Sequence, residues 1–414
     1  FILLQLFGEN MSIKLSKNIE KIAPSATVAM TQLARELKNE GKDVISLSAG
    51  EPDFDTPKHI KAAAIDAIHR GETKYTAVDG MDELKEAIIK KFKRENNLSF
   101  SKENISVAPG GKPIIYNAMI TTLNPGDEVI IPAPYWVSYP DIVKLAGGTP
   151  VIIETNIEDN FKITGNKLKQ SITKHTKWII LNSPSNPTGE VYSKDELKSL
   201  IDVLKQYPNI YILSDDIYEH LLYNKSKSNK FTTIGEIDDE INSRTITMNG
   251  VSKAYSMTGW RIGYCGGPKV IIDAMRKLQG QSTSNPSSIS QWAAVEALNG
   301  DQNFLEKWLE SFEERRNKVF EMLNSANGLK CLKPKGAFYI YPSCEGVIGK
   351  KTPNGKIINN DKDFAMNLLE TKSVSVVHGE AFGLSPYFRI SYATSMEKLE
   401  IACDRIIKFC DELI

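Results

Sequence analysis

Apolar residues along the chain gather in two kinds of run, and their order predicts the architecture. Short, nearly continuous apolar runs rich in β-branched residues stand at VISLSAG (44–50), ISVA (105–108), DEVIIPAP (127–134), TPVIIE (149–154), KWIILNSP (177–184), IYILSDD (210–216) and RTITMNG (244–250). Runs with helical periodicity lie over 58–70, 81–96, 136–146 and 194–206, and an apolar segment of helical length follows the glycines of APGGKP. Strands buried on both faces have this apolar character, so the alternation predicts an α/β domain with a largely parallel sheet covered by helices on both sides. Ligands of such sheets sit beyond the carboxyl ends of the strands.

Outside this block the pattern changes. Residues 17–42 read as an arm and then a helix, with Val28, Leu33 and Leu37 among its apolar positions and Gly41 as its stop. From about residue 270 a long helical region reaches 323, interrupted by the NPSS and NGDQN turns. A smaller α+β segment follows, with strands around AFYIYPS (337–343), VSVVHG (374–379) and YFRISYA (387–393) and a closing helix. The glycine- and lysine-rich loop 345–361 is expected to be mobile. The strand at 44–50 lacks a partner of its own and is expected to join this C-terminal segment. The predicted division is an N-terminal extension or arm (1–23), the N-terminal part of a small domain (24–55), a large domain (56–299) and the C-terminal small domain (300–414).

Composition narrows the function. The chain has 414 residues, with 51 Lys plus Arg against 51 Asp plus Glu, so no overall field draws it to nucleic acid or to an anionic membrane. Its five cysteines (Cys265, Cys331, Cys344, Cys403 and Cys410) form no CxxC pair, which argues against a disulfide framework or a zinc site and for a reducing, cytoplasmic home. No metal site is expected. The first ten residues, FILLQLFGEN, lack the basic start and small-residue cleavage site of a targeting signal, and Met11 reads as a natural start, so they are expected to play no part in the fold.

Candidate chemistry centres on NGVSKAYSMTGWRIG (249–263), where Lys253 lies among small and hydroxylated residues and Arg261 follows eight positions on. A lysine so placed can form a Schiff base with an aldehyde, and an arginine nearby can hold a phosphate by a two-pronged contact. Read alone, the stretch is equally a surface loop with two cations. Three further features fall at strand ends: the Gly110-Gly111 turn that opens a helix, a ready anion site; SPSNPTG with Asn186; and SDDIYEH with Asp215 and Tyr218. Each in isolation reads as a turn, a cap or a half-buried aromatic. Together they supply a carboxylate for a ring nitrogen, donors for a ring hydroxyl, a lysine for an aldehyde and a phosphate cup, which is what pyridoxal phosphate requires.

From about Pro24 onward the chain resembles the fold-type-I, class I/II aminotransferases, and within them the bacterial aspartate aminotransferases of the subgroup that includes prephenate aminotransferases. The motifs AGEPDFDTP, PYWVSYP, NSPSNPTG, SDDIYEHLLY, MTGWRIGY and FRISYATS are similar in order and spacing. The resemblance implies a seven-stranded, mostly parallel sheet in the large domain, pyridoxal 5'-phosphate as cofactor, amino acids and 2-oxo acids as substrates, and a homodimer with shared active sites. By the same resemblance Lys253 joins the cofactor and moves the substrate proton, Asp215 pairs with the ring nitrogen, Tyr218 and Asn186 bond the ring hydroxyl, and Trp136 stacks on the ring. Gly111 and Lys112 amides with Arg261 hold the phosphate, and Tyr75 reaches it from the neighbouring subunit. Arg389 clamps the substrate α-carboxylate, helped by Asn186 and the Gly50 backbone, while Lys112, Ser25 and Thr27 meet the distal carboxylate.

Departures from the subgroup are few. Pro113 and Ile114 follow the GGK turn where Gln and Ala are usual, and Gly250 replaces a phosphate-binding hydroxyl. Ala23 stands where prephenate-active members carry lysine, which argues against prephenate as a substrate. The expected reaction is therefore L-aspartate with 2-oxoglutarate. The same fold also hosts aminotransferases of aromatic, kynurenine or alanine specificity and carbon–sulfur lyases. A non-enzymatic ligand-sensing domain is the alternative from another class.

Overall fold

The computed structural model describes residues 14–223 and 230–414. The expectation for residues 1–10 falls outside them. The strands are β1 (Ile45–Ser46), β2 (Ile105–Ala108), β3 (Glu128–Ala133), β4 (Thr149–Glu154), β5 (Thr176–Asn182), β6 (Tyr211–Asp215), β7 (Thr245–Gly250), β8 (Gly263–Gly266), β9 (Tyr339–Ile340), β10 (Val374–Ser375), β11 (Val377–His378) and β12 (Phe388–Ser391). A seven-stranded sheet in the order β2-β8-β7-β6-β5-β3-β4 is parallel except at β8, which runs antiparallel to both neighbours.

Successive side chains of a strand point to opposite faces, and here both faces are dry. From β5, Trp178 and Ile180 enter one core with Ile131, Leu213 and Ile246, under the helices Gly111–Thr122 and Lys269–Gln279. Ile179 and Leu181 enter the opposite core with Ile130 and Ile212, under the helix Lys194–Leu204. That helix starts where it does because Ser193 and Glu196 form a capping box: the Ser193 hydroxyl accepts from the Glu196 N–H at 3.3 Å and the Glu196 carboxylate accepts from the Ser193 N–H at 2.7 Å. Each fully buried aliphatic chain contributes ~1.5–3 kcal/mol, so the two cores fix the sheet and hence its strand ends.

β8 was not expected from the sequence. Gly-Tyr-Cys-Gly has no β-branched residue, and its glycines answer tertiary contacts: a Cβ on Gly263 would lie 2.3 Å from the Gly110 backbone, and one on Gly266 would lie 2.4 Å from the Phe100 ring. The helix expected over 136–146 begins only at Tyr139, with Pro140 in its first turn, which leaves Trp136 on the turn before it. In the helix Ala26–Asn39, Met30 and Ala34 are buried and Leu33 and Leu37 pack beside them, but Val28 is 63% exposed and faces a cleft instead of a core.

The C-terminal part packs around Phe312, Phe338, Phe364, Phe388 and Phe409, and Ile45 and Leu47 from the N-terminal part and Tyr218 and Leu221 from beyond β6 join the same core. β9, β12 and β11 make an antiparallel sheet, and β1 pairs in parallel with β10. Residues 44–50 were expected as one strand; only Ile45–Ser46 is regular. Leu47 still donates to Ser375 and accepts from Ser391, both at 2.8 Å, after which Ala49 and Gly50 turn toward the cleft. The helical region after 270 resolves into Lys269–Gln279, Ser288–Asn299 and Asn303–Ser325. The loop 345–361, expected to be mobile, is tied down: Val347, Thr352 and Ile358 are buried, and Gly349 donates to Ile358 at 2.8 Å.

Candidate active site

A cleft of about 790 Å³ opens where the carboxyl ends of β5, β6 and β7 meet the helix Ala26–Asn39 and β12. Among its lining are Ser25, Thr27, Gly50, Gly111, Lys112, Trp136, Asn186, Asp215, Tyr218, Lys253, Arg261 and Arg389. These are all the sequence-derived site residues except Tyr75. Tyr75 is 91% exposed and sits apart, beside Asn285 and Ser287.

Lys253 is half-buried, and its Nζ donates to the Gly50 carbonyl at 2.5 Å. Desolvation, aided by the charge of Arg389, brings its pKa down to about 8. Asp215 ends β6 with one carboxylate oxygen accepting from the Tyr139 hydroxyl at 2.5 Å and the other from the Ile217 N–H at 3.3 Å. Burial pushes its pKa up to about 6 in spite of those donors and of Lys253. One basic group is thus partly neutral and one acid partly protonated near neutrality, a pattern common at functional sites.

Opposite them lies Arg389 on β12, 2% exposed. It donates to Asn186 Oδ1 at 2.9 Å and to the Ser48 carbonyl at 2.6 Å, and its guanidinium carbon lies 4.6 Å from the centre of the Tyr339 ring and 5.1 Å from that of Phe382. Its Nε has no hydrogen-bond partner among the described residues. Asn186 is held in turn by Asn182, whose side-chain oxygen accepts from the Asn186 N–H at 2.8 Å. The Tyr218 hydroxyl lies 2.8 Å from that of Tyr339.

An electropositive corner completes the cleft. The helix Gly111–Thr122 points its first N–H groups into it, and Gly110, with φ of 110°, turns the chain there. Arg261 stands against Gly110, where a Cβ would lie 2.4 Å from its guanidinium. Lys112, on the rim, places Nζ 5.0 Å from the centre of the Trp136 ring, and partial desolvation followed by the charge of Arg261 lowers its pKa.

Tyr139, Ser48 and Tyr339 were not singled out from the sequence. Tyr139 lies in the quoted motif PYWVSYP, yet a buried tyrosine on a carboxylate has no local signature. Ser48 acts through its carbonyl, which residue type does not reveal. Tyr339 reads as one aromatic in a strand.

The chain matches the family model for aminotransferase class I and II over residues 42–406. It is 58% identical to a probable aspartate/prephenate aminotransferase of Rhizobium leguminosarum bv. phaseoli, over 96% of this chain and 98% of that one. It is 56% identical to the aspartate/prephenate aminotransferase of Cereibacter sphaeroides over the same shares. Among solved structures, the aspartate aminotransferase of Rhizobium meliloti superposes with a TM-score of 0.94 at 52% identity, covering 97% of this chain and all of that one. That of Thermus thermophilus with maleate superposes with 0.88 at 41%, covering 96% and 99%. With strand ends, cleft and full-length similarity in agreement, the chain belongs to the class I and II aminotransferases.

Proposed function

We propose that the protein is a pyridoxal 5'-phosphate-dependent aspartate aminotransferase that exchanges the amino group of L-aspartate with 2-oxoglutarate. The observation that carries this reading is that two cations line one cleft with Lys253: Arg389, buried and with an Nε unpartnered among the described residues, and Lys112, on the rim. A carboxylate that every amino acid carries suits the first. A second carboxylate, which only acidic substrates carry, suits the other. The names of the relatives, at 58% and 56% identity, support the same assignment.

The residues fit the cofactor. Close approach of Gly263 to the Gly110 backbone packs β8 under the turn, which directs the Gly111 and Lys112 amides and Arg261 to one point suited to a phosphate. Asp215, buried at the far side, suits a ring nitrogen, and Trp136 and Tyr218 suit a ring face and a ring hydroxyl. Pyridoxal phosphate, when bound, supplies an aldehyde for exchange with amines and a ring that accepts electrons from the substrate carbon. Lys253, with a pKa of about 8, has a neutral fraction near neutrality and serves as the base at the substrate Cα. Arg389 and Asn186 hold the α-carboxylate and so orient the Cα–H bond toward it. The Tyr139 hydroxyl and Ile217 N–H favour the ionised form of Asp215, which stabilises positive charge at the ring nitrogen. In this reading the Gly50 backbone joins Arg389 and Asn186 at the α-carboxylate, and Ser25 and Thr27 join Lys112 at the distal one.

The wider reading includes a homodimer, since the exposed Tyr75 is the tyrosine expected to cross to a partner's phosphate. It also includes a cytoplasmic home, supported by five free, buried cysteines. Among the described residues no helix is long and apolar enough to cross a membrane. The division into a large unit (56–299) and a small one (24–55 with 300–414) belongs to it too, supported by a core drawn mostly from the small unit, to which the large one contributes Tyr218, Leu221 and Tyr223.

The test is a half-reaction screen that follows the cofactor absorbance on addition of single amino acids. L-aspartate and L-glutamate are expected to react fastest and yield their 2-oxo acids. Alanine or an aromatic amino acid outpacing aspartate would overturn the specificity, release of sulfide or thiol from a sulfur amino acid would point to a lyase, and binding without turnover to a sensor. Prephenate with aspartate as donor forms a further arm. Ala23 argues for no turnover there, whereas the names of the two relatives favour it.

A further inference from the structure

Tyr339 is almost wholly buried, lies on β9 outside the large sheet, and still lines the cleft. Three site components meet at this one side chain. Its hydroxyl is 2.8 Å from the Tyr218 hydroxyl, its ring lies 4.6 Å from the Arg389 guanidinium carbon, and a Cβ on Gly50, whose carbonyl receives Lys253, would stand 2.6 Å from its oxygen. A phenol has one proton to donate and two lone pairs. If Tyr218 gives its proton to the cofactor, as the proposed function requires, the short contact with Tyr339 can be made only by Tyr339 donating.

We propose that Tyr339 is a positioning residue whose hydroxyl donates to Tyr218 and so sets Tyr218 as a donor toward the ring hydroxyl of the bound cofactor. The inference rests on the pyridoxal phosphate reading. A phenol that accepts a hydrogen bond is a stronger donor, because each bond in the chain polarises the next. A bond donated by Tyr218 to the ring oxygen would withdraw charge from it and so lower the basicity of the group whose protonation sets the colour of the bound cofactor. Losing the Tyr339 hydroxyl therefore raises the pH at which the bound cofactor changes colour. The charged groups facing this pair are Arg389 from β12, Lys253 from the segment after β7, and Asp215 at the end of β6, and Tyr339→Phe removes none of them and keeps the ring that Arg389 packs on.

The experiment is a spectrophotometric pH titration of the holoenzyme for the parent, Tyr339→Phe, Tyr218→Phe and the double variant, with cofactor content and near-ultraviolet circular dichroism checked for each. In Tyr339→Phe the midpoint is expected to rise by roughly half a pH unit. In Tyr218→Phe it rises further, and the double variant matches Tyr218→Phe alone, because Tyr339 acts through Tyr218. A folded, cofactor-loaded Tyr339→Phe with an unmoved midpoint overturns the inference, and so does a Tyr339→Phe shift that adds in full to that of Tyr218→Phe. A parent protein that binds no pyridoxal phosphate, or shows no pH-dependent colour, would instead overturn the proposed function itself.

Discussion

Burial moves Asp215 and Lys253 in opposite senses, toward their neutral forms, and each shift makes a measurable demand. The folded pKa of Asp215, about 6, lies above the ordinary 3.8, so folded protein free of cofactor takes up a proton between those values. Stability is undiminished by this group below about pH 4 and is lost as pH rises to 6. Asp215→Asn, which can still accept from Tyr139, is therefore expected to stabilise the cofactor-free protein at pH 7.5 by up to ~3 kcal/mol and to leave it unchanged at pH 4. Urea unfolding at the two pH values checks this, and transamination by the same variant should fall steeply. Arg389 and Lys112 give a second pair of contrasting outcomes. Loss of a charge-assisted contact to a desolvated carboxylate costs ~2–4 kcal/mol, so Arg389→Ala should lower kcat/KM for every amino acid by tens to hundreds of fold. Lys112→Ala should penalise aspartate and glutamate and spare alanine; equal small losses for both classes would remove Lys112 from the distal-carboxylate role.

Elements reach the site through contacts that only their packing creates. Gly263 of β8 lies so close to Gly110 that a methyl group would meet backbone, which has no rotamer to yield. Gly263→Ala is expected to lift the turn off β8, destabilise the fold by ~1–3 kcal/mol and weaken retention of pyridoxal phosphate; dialysis against buffer and thermal melting measure the two effects. On the outer side of the segment that carries Asp215 and Tyr218, the fully buried Lys91 of the helix Asp82–Asn96 bonds Glu219 and donates to Asn96 at 2.7 Å, while Asn96 donates to Glu219 at 2.7 Å. Lys91→Met would leave Glu219 as an uncompensated buried charge and should cost ~3–5 kcal/mol, much of it restored in Lys91→Met/Glu219→Met. Chemical denaturation of both variants decides whether this network anchors the segment.

At the scale of the whole molecule, Tyr75 stands outside the cleft of its own chain. Gln291 fixes its loop by donating to the Thr76 hydroxyl at 2.9 Å and accepting from the Met81 N–H at 2.8 Å, so the tyrosine is presented outward on a rigid support. If it completes a partner's site, mixing inactive Lys253→Ala protein with a Tyr75→Ala variant should restore activity, because mixed dimers hold one site free of both changes. No recovery after verified subunit exchange would place both functions within one chain.

Much of this was legible in the chain itself. Continuous apolar strands alternating with periodic helices specified a sheet covered on both faces, since only burial on both sides tolerates such strands. Lys253, Asp215 and Asn186 were legible because their type and place at strand ends announce them, whereas Arg389, inside β12, was legible only through the resemblance carried by FRISYATS. Tertiary structure decided the remainder. It set the glycine strand β8 between β2 and β7, because what makes Gly263 and Gly266 necessary is a neighbour distant in sequence. Tyr139 lies on Asp215, Tyr339 on Tyr218 and the Ser48 carbonyl on Arg389, pairs separated by 76, 121 and 341 positions. Hydrogen-bond partners at such range leave no local periodicity, and a backbone carbonyl leaves no trace in residue type at all, so these contacts exist only once the chain has folded.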